Sequence, residues 1–343
     1  KIDLTPRFDE WSQKGIFFKN FYANGFQTRH GEIATYCSVM PNYGAAVLKR
    51  YAKNHFRCLP AVLQENGYST TWIHAGDASF DGQATFFQEN GFEKIIDKFD
   101  FPSDTEELGW GYSDGALFQK ILTTLPSLEK PFFASALTIT NHHPFEVPTE
   151  YELGLGTQDL HNYYNSIHYM DSKLGEFLSL AEKEPWFENT LIIVTADTSS
   201  FQPPQSEPKD FGEFVALRSR IPLLILGGPI KQNAEINEFA SQIDLAPTIM
   251  DLIGLAWTSP WVGKSLIVKQ DLPIAYTNRP GSYWAVMSEE GSVFSENDHK
   301  FHVDDLINPQ LEDRLKSLGR AWLSVTSWLL QEDLYWPKLD KKN

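Results

Sequence analysis

Two nearly continuous apolar runs of strand length constrain this chain most: Pro131 to Thr140 (PFFASALTIT) and Thr190 to Ala196 (TLIIVTA). Each is far shorter than the roughly 18 apolar residues that a membrane span needs. Neither shows the apolar–polar alternation of a strand with one wet face. Runs of this kind need cover on both faces, which helices on either side of a parallel sheet provide. The rest of the chain supplies the helices. Thr5 to Lys14 reads as a helix, with Thr5 as N-cap, Pro6 at the first helical position and Gly15 as its end. Ile16 to Ala23 reads as a strand. A helix over Leu59 to Glu65 ends at Gly67 and a strand follows from Ser69 to His74. A long helix is expected over His161 to Lys183, a strand over Ile221 to Leu226 and a helix over Ile243 to Leu255. No repeats interrupt the alternation. The fold class expected is therefore α/β, with a mostly parallel central sheet and helices on both faces.

Two further regions stand apart. Residues Ser199 to Arg220 are polar, contain Pro203, Pro204 and Pro208, and read as one long loop after the TLIIVTA strand. From about Leu272 the pattern changes to short strands (PIAYTN, YWAVMS, SVFS) and then a helix over Pro309 to Leu330. The expected organisation is a main α/β domain over 1–268, with a small C-terminal α+β subregion over 269–343 packed on it.

Composition excludes some functions. The net charge is -16, so nucleic acid, which needs clustered Lys and Arg, is not an expected partner. The 14% aromatic content argues against disorder. Cys37 and Cys58 are the only cysteines, and their spacing leaves open both a single bridge and two buried thiols. No signal-peptide pattern opens the chain and the first residue is Lys1, so it reads as an excised piece of a longer protein that has lost a leader or an anchor.

Reactive groups on open parallel sheets collect past the C-terminal ends of strands. Four stretches meet that condition. In Asn24 to Glu32 (NGFQTRHGE), Thr28 stands at the start of a helical pattern. A hydroxyl there lies in the positive end of the helix dipole, which favours an alkoxide and an incoming phosphate. The same position also suits a plain helix cap. In His74 to Asp81 (HAGDASFD), His74 can donate to a phosphate oxygen or a glycol hydroxyl, or simply hold a loop. In Thr140 to Phe145 (TNHHPF), His142 and His143 point opposite ways if the strand continues, so they do not chelate one metal together. Asp197, after TLIIVTA, is a carboxylate placed to bind a divalent cation, or to cap the next turn.

Taken in order, these stretches resemble the alkaline phosphatase/sulfatase superfamily, and within it the lipoteichoic acid synthase and phosphoglycerol transferase branch. The likeness is carried by LTPRFDEWSQKGIFFKNFYANG, QTRHGEIATYCSVMP, LPAVLQENGYSTTWIHAGDASFDG, WGYSDGALF, KPFFASALTITNHHPF, NTLIIVTAD and SQIDLAPTIMDLIG, over roughly residues 2–265. The resemblance implies that Thr28 is the nucleophile that carries the head group covalently and also binds the metal, with Asp197 and Thr198 at the other metal positions. It implies a divalent cofactor, Mn²⁺ first and Mg²⁺ or Zn²⁺ next. His74 and His142 fall on head-group-binding positions; Asp81, Gln83 and Arg29 are further substrate-binding candidates. The partners implied are phospholipid or glycol-phosphate head groups. So is a membrane anchor formed by N-terminal helices absent from this chain, which puts the domain on the outer face of the bacterial inner membrane.

The sequence departs from the family at two places. Where the family carries Asp-His, this chain has Asp197-Thr198, and a hydroxyl is a poorer ligand than imidazole. The family's other ligand is a glutamate that ends the strand before the first helix; this chain begins at that helix, so that strand is expected to lie outside this sequence. His30 or Glu32 could substitute, or the domain could bind head groups without turning them over. A phosphodiesterase or sulfatase-like hydrolase is a third reading. Cys37-Ser38-Val39-Met40-Pro41 lacks the Pro and Arg spacing of the formylglycine motif, so Cys37 is expected to be a packed helix residue. Asp244 and Asp171 match positions that look structural, one capping a helix and one within a helix.

Overall fold

The computed structural model describes residues 2–41, 47–51, 54–156, 158–200, 202, 206–279, 281–296 and 299–336. The helices and strands follow in chain order. The first part holds α1 (Pro6–Ser12), β1 (Ile16–Tyr22), α2 (Thr28–Cys37), α3 (Val47–Arg50), α4 (Leu59–Glu65), β2 (Ser69–His74), α5 (Gln83–Glu89) and β3 (Lys94–Ile96). Next come β4 (Glu107–Leu108), β5 (Gly111–Tyr112), α6 (Asp114–Thr124), β6 (Phe132–Leu137), α7 (Asp159–Ala181) and β7 (Leu191–Thr195). Then follow α8 (Phe211–Ser219), β8 (Leu223–Gly227), β9 (Ala234–Ser241) and α9 (Leu245–Leu252). The chain closes with β10 (Ala275–Arg279), β11 (Tyr283–Ser288), β12 (Gly291–Glu296), β13 (Lys300–Val303) and α10 (Pro309–Gln331). No described helix is long and apolar enough to cross a membrane.

The chain divides into two compact units. Unit 1 comprises Lys1–Phe17, Leu63–Ile193 and Leu224–Ala234; unit 2 comprises Phe18–Val62, Val194–Leu223 and Glu235–Asn343. One four-stranded sheet has the order β7-β8-β1-β9.

In unit 1, β2 lies between β3 and β6 and is parallel to both, with Ser69 opposite Phe132 and His74 opposite Leu137. Trp72, fully buried, stacks obliquely on Phe87 at 4.9 Å, and Phe87, Phe92 and Phe133 continue the aromatic core. Two expectations at α1 are corrected. Thr5 makes no side-chain cap bond; instead the N–H groups of Arg7 and Phe8 donate to the two carboxylate oxygens of Asp171, on α7, at 2.9 and 2.7 Å. Gly15 does not end the helix, which stops at Ser12. A Cβ at Gly15 would lie 2.6 Å from the carbonyl oxygen of Ile225, so this glycine allows a close backbone approach to β8.

In unit 2, the expected loop over Ser199 to Arg220 contains α8, capped by Asp210, whose carboxylate accepts from Glu213 N at 2.9 Å; Pro203 and Pro204 lie outside the described residues. The helix forms because Val215, Phe211 and Phe214 have an apolar surface to cover, made by Tyr22, Tyr283, Ala285, Met287 and Phe294. The C-terminal strands β10 to β13 form an antiparallel sheet in sequential order. Its Trp284, Val286 and Val293 share a core with Leu311 and Leu315 of α10 and with Ala34 and Ile243, so this subregion packs within unit 2. Cys37 and Cys58 are joined in a disulfide, which settles the alternatives that spacing left open.

Candidate active site

Unit 2 carries Thr28, Arg29, Asp197 and Thr198, and a buried polar network positions them. The chain leaves β1 at Asn24, which is fully buried. Its side-chain oxygen accepts from Ile243 N at 2.9 Å and its amide donates to Tyr276 O at 2.8 Å. Its backbone N–H donates to Gln242 Oε1 at 2.9 Å. Gln242, also fully buried, donates from Nε2 to the carbonyls of Ala196 at 3.0 Å and Asp197 at 2.7 Å. One amide thus ties the exit of β1 to the exit of β7. Gly31 completes the join. A Cβ there would overlap the carbonyl oxygen of Asp197, so the first turn of α2 is seated directly on the Asp197 backbone.

Thr28 is the first residue of α2, and the N-cap is Gln27, not Thr28. Gln27 makes no side-chain cap bond because its Oε1 accepts from Arg29 Nη2 at 2.5 Å. The helix start therefore combines its own positive end with a guanidinium, both suited to an anionic phosphate. The Oγ1 of Thr198 lies 3.2 Å from Ser199 O and 3.5 Å from Gly25 O, so its proton goes to backbone carbonyls. Ser199 N also donates to Gly25 O, at 3.2 Å, which binds the turn after Asp197 to the segment leading into Thr28. His30 is buried beside Phe26, and burial, reinforced by the Arg29 charge, pulls its pKa down to about 4. It is a neutral packing residue at pH 7. Asp244 is buried and accepts from Ser241 N and Lys264 N, consistent with a structural cap; burial raises its pKa to about 7.

Unit 1 carries His74, Asp81, Gln83 and His142. His74 ends β2, and its Nδ1–H donates to Leu137 O at 2.9 Å. Burial lowers its pKa, so the ring is neutral and Nε2 presents a lone pair. That tautomer accepts a hydroxyl proton and does not donate to phosphate. A Cβ on Gly76 would lie 2.5 Å from Nε2, so only glycine leaves this nitrogen its space. Asp81 takes a positive φ of 54° in the turn before α5, and Gln83 opens α5 with its side chain buried. His142 is not on the strand, which ends at Leu137. It lies in a turn, with its N–H donating to Ile139 O at 2.9 Å and its ring 4.2 Å from that of Trp110. Trp110, half exposed, stands at the tip between β4 and β5. Sequence reasoning missed Gln242, whose partners are backbone atoms of distant segments, and Trp110, although WGYSDGALF was visible as a motif.

A sulfatase family profile matches residues 1–255. This chain belongs to the sulfatase family. It is 24% identical to lipoteichoic acid synthase 2 of Bacillus subtilis over 91% of its own length and 52% of that protein. It is 25% identical to the lipoteichoic acid synthase-like protein YvgJ of the same organism, over 74% of this chain and 44% of that one. The chain thus spans about half the length of the curated relatives it matches. Among solved structures, a protein in the alkaline phosphatase superfamily from Vibrio parahaemolyticus superposes with a TM-score of 0.83 at 27% identity, covering 97% of this chain and 82% of that one. Lipoteichoic acid synthase LtaP from Listeria monocytogenes superposes with a TM-score of 0.77 at 21% identity, covering 96% and 86%. The fold is alkaline phosphatase-like α/β, with a mixed sheet and an added C-terminal antiparallel sheet.

Members of this superfamily typically use divalent metals. Two hydroxyls and one carboxylate, the set expected from Thr28, Asp197 and Thr198, are the oxygen donors that hard ions such as Mn²⁺ or Mg²⁺ prefer, whereas zinc sites more often use nitrogen and sulfur. Among the described residues no three His, Cys, Asp or Glu side chains converge on one point, which leaves His30 and Glu32 outside any such group.

Proposed function

We propose that this chain is the extracytoplasmic catalytic domain of a phosphate-ester head-group transferase, with a phosphoglycerol-type donor and Thr28 as nucleophile. One observation carries the reading: Thr28 opens α2 beside Arg29, and Gly31 of the same turn sits on the backbone of Asp197. In the proposed reaction Thr28 Oγ1 attacks phosphorus and loses its proton. A Thr–O–P bond forms, the P–O bond to the lipid breaks, and the lipid alkoxide leaves with a proton. An acceptor hydroxyl then attacks the same phosphorus and restores the Thr28 hydroxyl; water as acceptor makes the reaction a phosphodiester hydrolysis. The α2 N-terminus and Arg29 hold the phosphoryl oxygens and offset the charge that develops on them. A hard divalent ion held by Thr28, Asp197 and Thr198 would supply Lewis-acid neutralisation of that charge. In unit 1, neutral His74 suits a glycol hydroxyl, and His142, Asp81 and Gln83 are further head-group candidates. The Cys37–Cys58 disulfide supports an oxidising, extracytoplasmic location; anchoring to the membrane belongs to the same proposal.

The second reading is a head-group-binding domain without turnover. It is favoured by the hydroxyl of Thr198, which is committed to carbonyls, in a position where a metal ligand is expected. Turnover of a fluorescent phosphatidylglycerol, compared between the wild-type chain and Thr28→Ala, separates the two. Turnover that disappears in a folded Thr28→Ala supports the transferase. Binding of the lipid with no turnover in either protein supports the binding domain. Equal turnover in both removes Thr28 from the mechanism.

A further inference from the structure

Asp114, the first residue of α6, is fully buried, yet it takes no part in the proposed reaction. Its Oδ1 accepts from the N–H groups of Ile139 and Thr140 at 2.9 and 3.1 Å, and its own N–H donates back to Thr140 Oγ1 at 3.0 Å. Oδ2 is buried with no hydrogen-bond partner among the described residues. Leaving a carboxylate oxygen in that state is costly, and a neutral cap would serve the helix as well. Ser113 already caps α6, accepting from Ala116 N at 3.2 Å. The carboxylate is therefore surplus to the needs of its own helix and is spent on the segment it clamps.

That segment leads to His142 and borders His74, both in unit 1. The carbonyl of Ile139 accepts from His142 N at 2.9 Å, which closes the turn that displays the His142 ring. The Ile139 side chain lies within 2.9 Å of the space a Cβ on Gly76 would fill, beside the His74 ring. We propose that Asp114 is a positioning residue: by gripping the Ile139–Thr140 backbone it sets the His142 turn, and through Ile139 the His74 wall, for a polyol-phosphate head group. This rests on the reading of His142 as a head-group contact.

The test is a double-mutant cycle read as KM and kcat on a short-chain fluorescent phosphatidylglycerol. His142→Ala is expected to raise KM about tenfold, the effect of one lost hydrogen bond to a charged group. Asp114→Ala is expected to match it, with the double variant no worse than either single one. Asp114→Asn, whose side-chain oxygen still accepts both N–H groups, is expected to stay within about threefold of wild type. Should Asp114→Ala fail to fold, Asp114→Glu, which displaces the carboxylate by one methylene, takes its place. Effects that multiply in the double variant, or an unchanged KM in Asp114→Ala, overturn the proposal. NMR of the His142 ring keeps it separate from the functional reading. If His142→Ala leaves KM unchanged, the head-group role falls. The clamp then stands or falls on whether the His142 resonance moves in Asp114→Ala and not in Asp114→Asn.

Discussion

Replacing Gly31 with alanine sets two effects of known size against each other. In an ordinary helix the change is favourable by about 1 kcal/mol, because glycine is the more flexible residue in the unfolded chain. Here the added carbon would lie 2.6 Å from the carbonyl carbon of Asp197, nearer still to its oxygen, and 3.0 Å from Gln242 Nε2. Carbon–carbon contacts are comfortable at about 3.5–4.0 Å and the overlap with the oxygen is deeper, so α2 and the Asp197 turn must separate by at least about 1 Å. Neither neighbour yields easily. The Asp197 carbonyl is held by Gln242 at 2.7 Å, and Gln242 is itself fixed by Asn24 N at 2.9 Å. Overpacking of this kind costs about 1–3 kcal/mol, which offsets the helix gain and leaves a net loss of up to about 2 kcal/mol. The catalytic loss should be much larger, since a displacement of about 1 Å between reacting groups lowers rates on the order of a hundredfold. The expected result for Gly31→Ala is a Tm lowered by only a few degrees with kcat lowered about a hundredfold. Thermal unfolding and steady-state turnover of the same preparation give both numbers. A variant with wild-type kcat and a raised Tm would show that α2 does not depend on this contact, and the reasoning would be refuted.

Two further outcomes follow. The disulfide closes a segment with a sequence separation of 21, so the Cys37→Ser/Cys58→Ser double variant should lose about 3 kcal/mol in urea unfolding and become insensitive to reductant; equal stability with and without the bridge would contradict this. The oxygen-only donor set predicts that Mn²⁺, followed by calorimetry, binds weakly enough to be dialysed away and is lost in Asp197→Ala; one ion per chain surviving dialysis would require donors beyond Thr28, Asp197 and Thr198.

The apolar runs located the sheet well because burial leaves a local trace. The expected Ser69 to His74 strand is β2, and the 131–140 run became β6, shortened to Phe132–Leu137 by the turn that carries His142. What the sequence concealed lies in contacts between distant segments. The cap of α1 comes from Asp171, 164 residues away for Arg7, so the local Thr5-Pro6 signal pointed to the wrong acceptor. Helix α8 was hidden in a polar, proline-marked stretch because its apolar residues needed Phe294 and Tyr283 to have something to cover. Thr28 was legible as a helix start, although not its seating on Asp197. That seating depends on Gly31 and Gln242, which in the sequence are an ordinary glycine and an ordinary amide. The departure at Thr198 was legible at once, whereas the direction of its hydroxyl, toward Ser199 and Gly25, was not.

In the proposed reaction the head group passes through Thr28. The most direct test is mass spectrometry of the Thr28 peptide after rapid quenching of the chain with phosphatidylglycerol. The expected result is a phosphoglycerol adduct on Thr28 that forms and decays during turnover and is absent from Thr28→Ala. Turnover with no adduct on Thr28, or with the adduct on another residue, would contradict it.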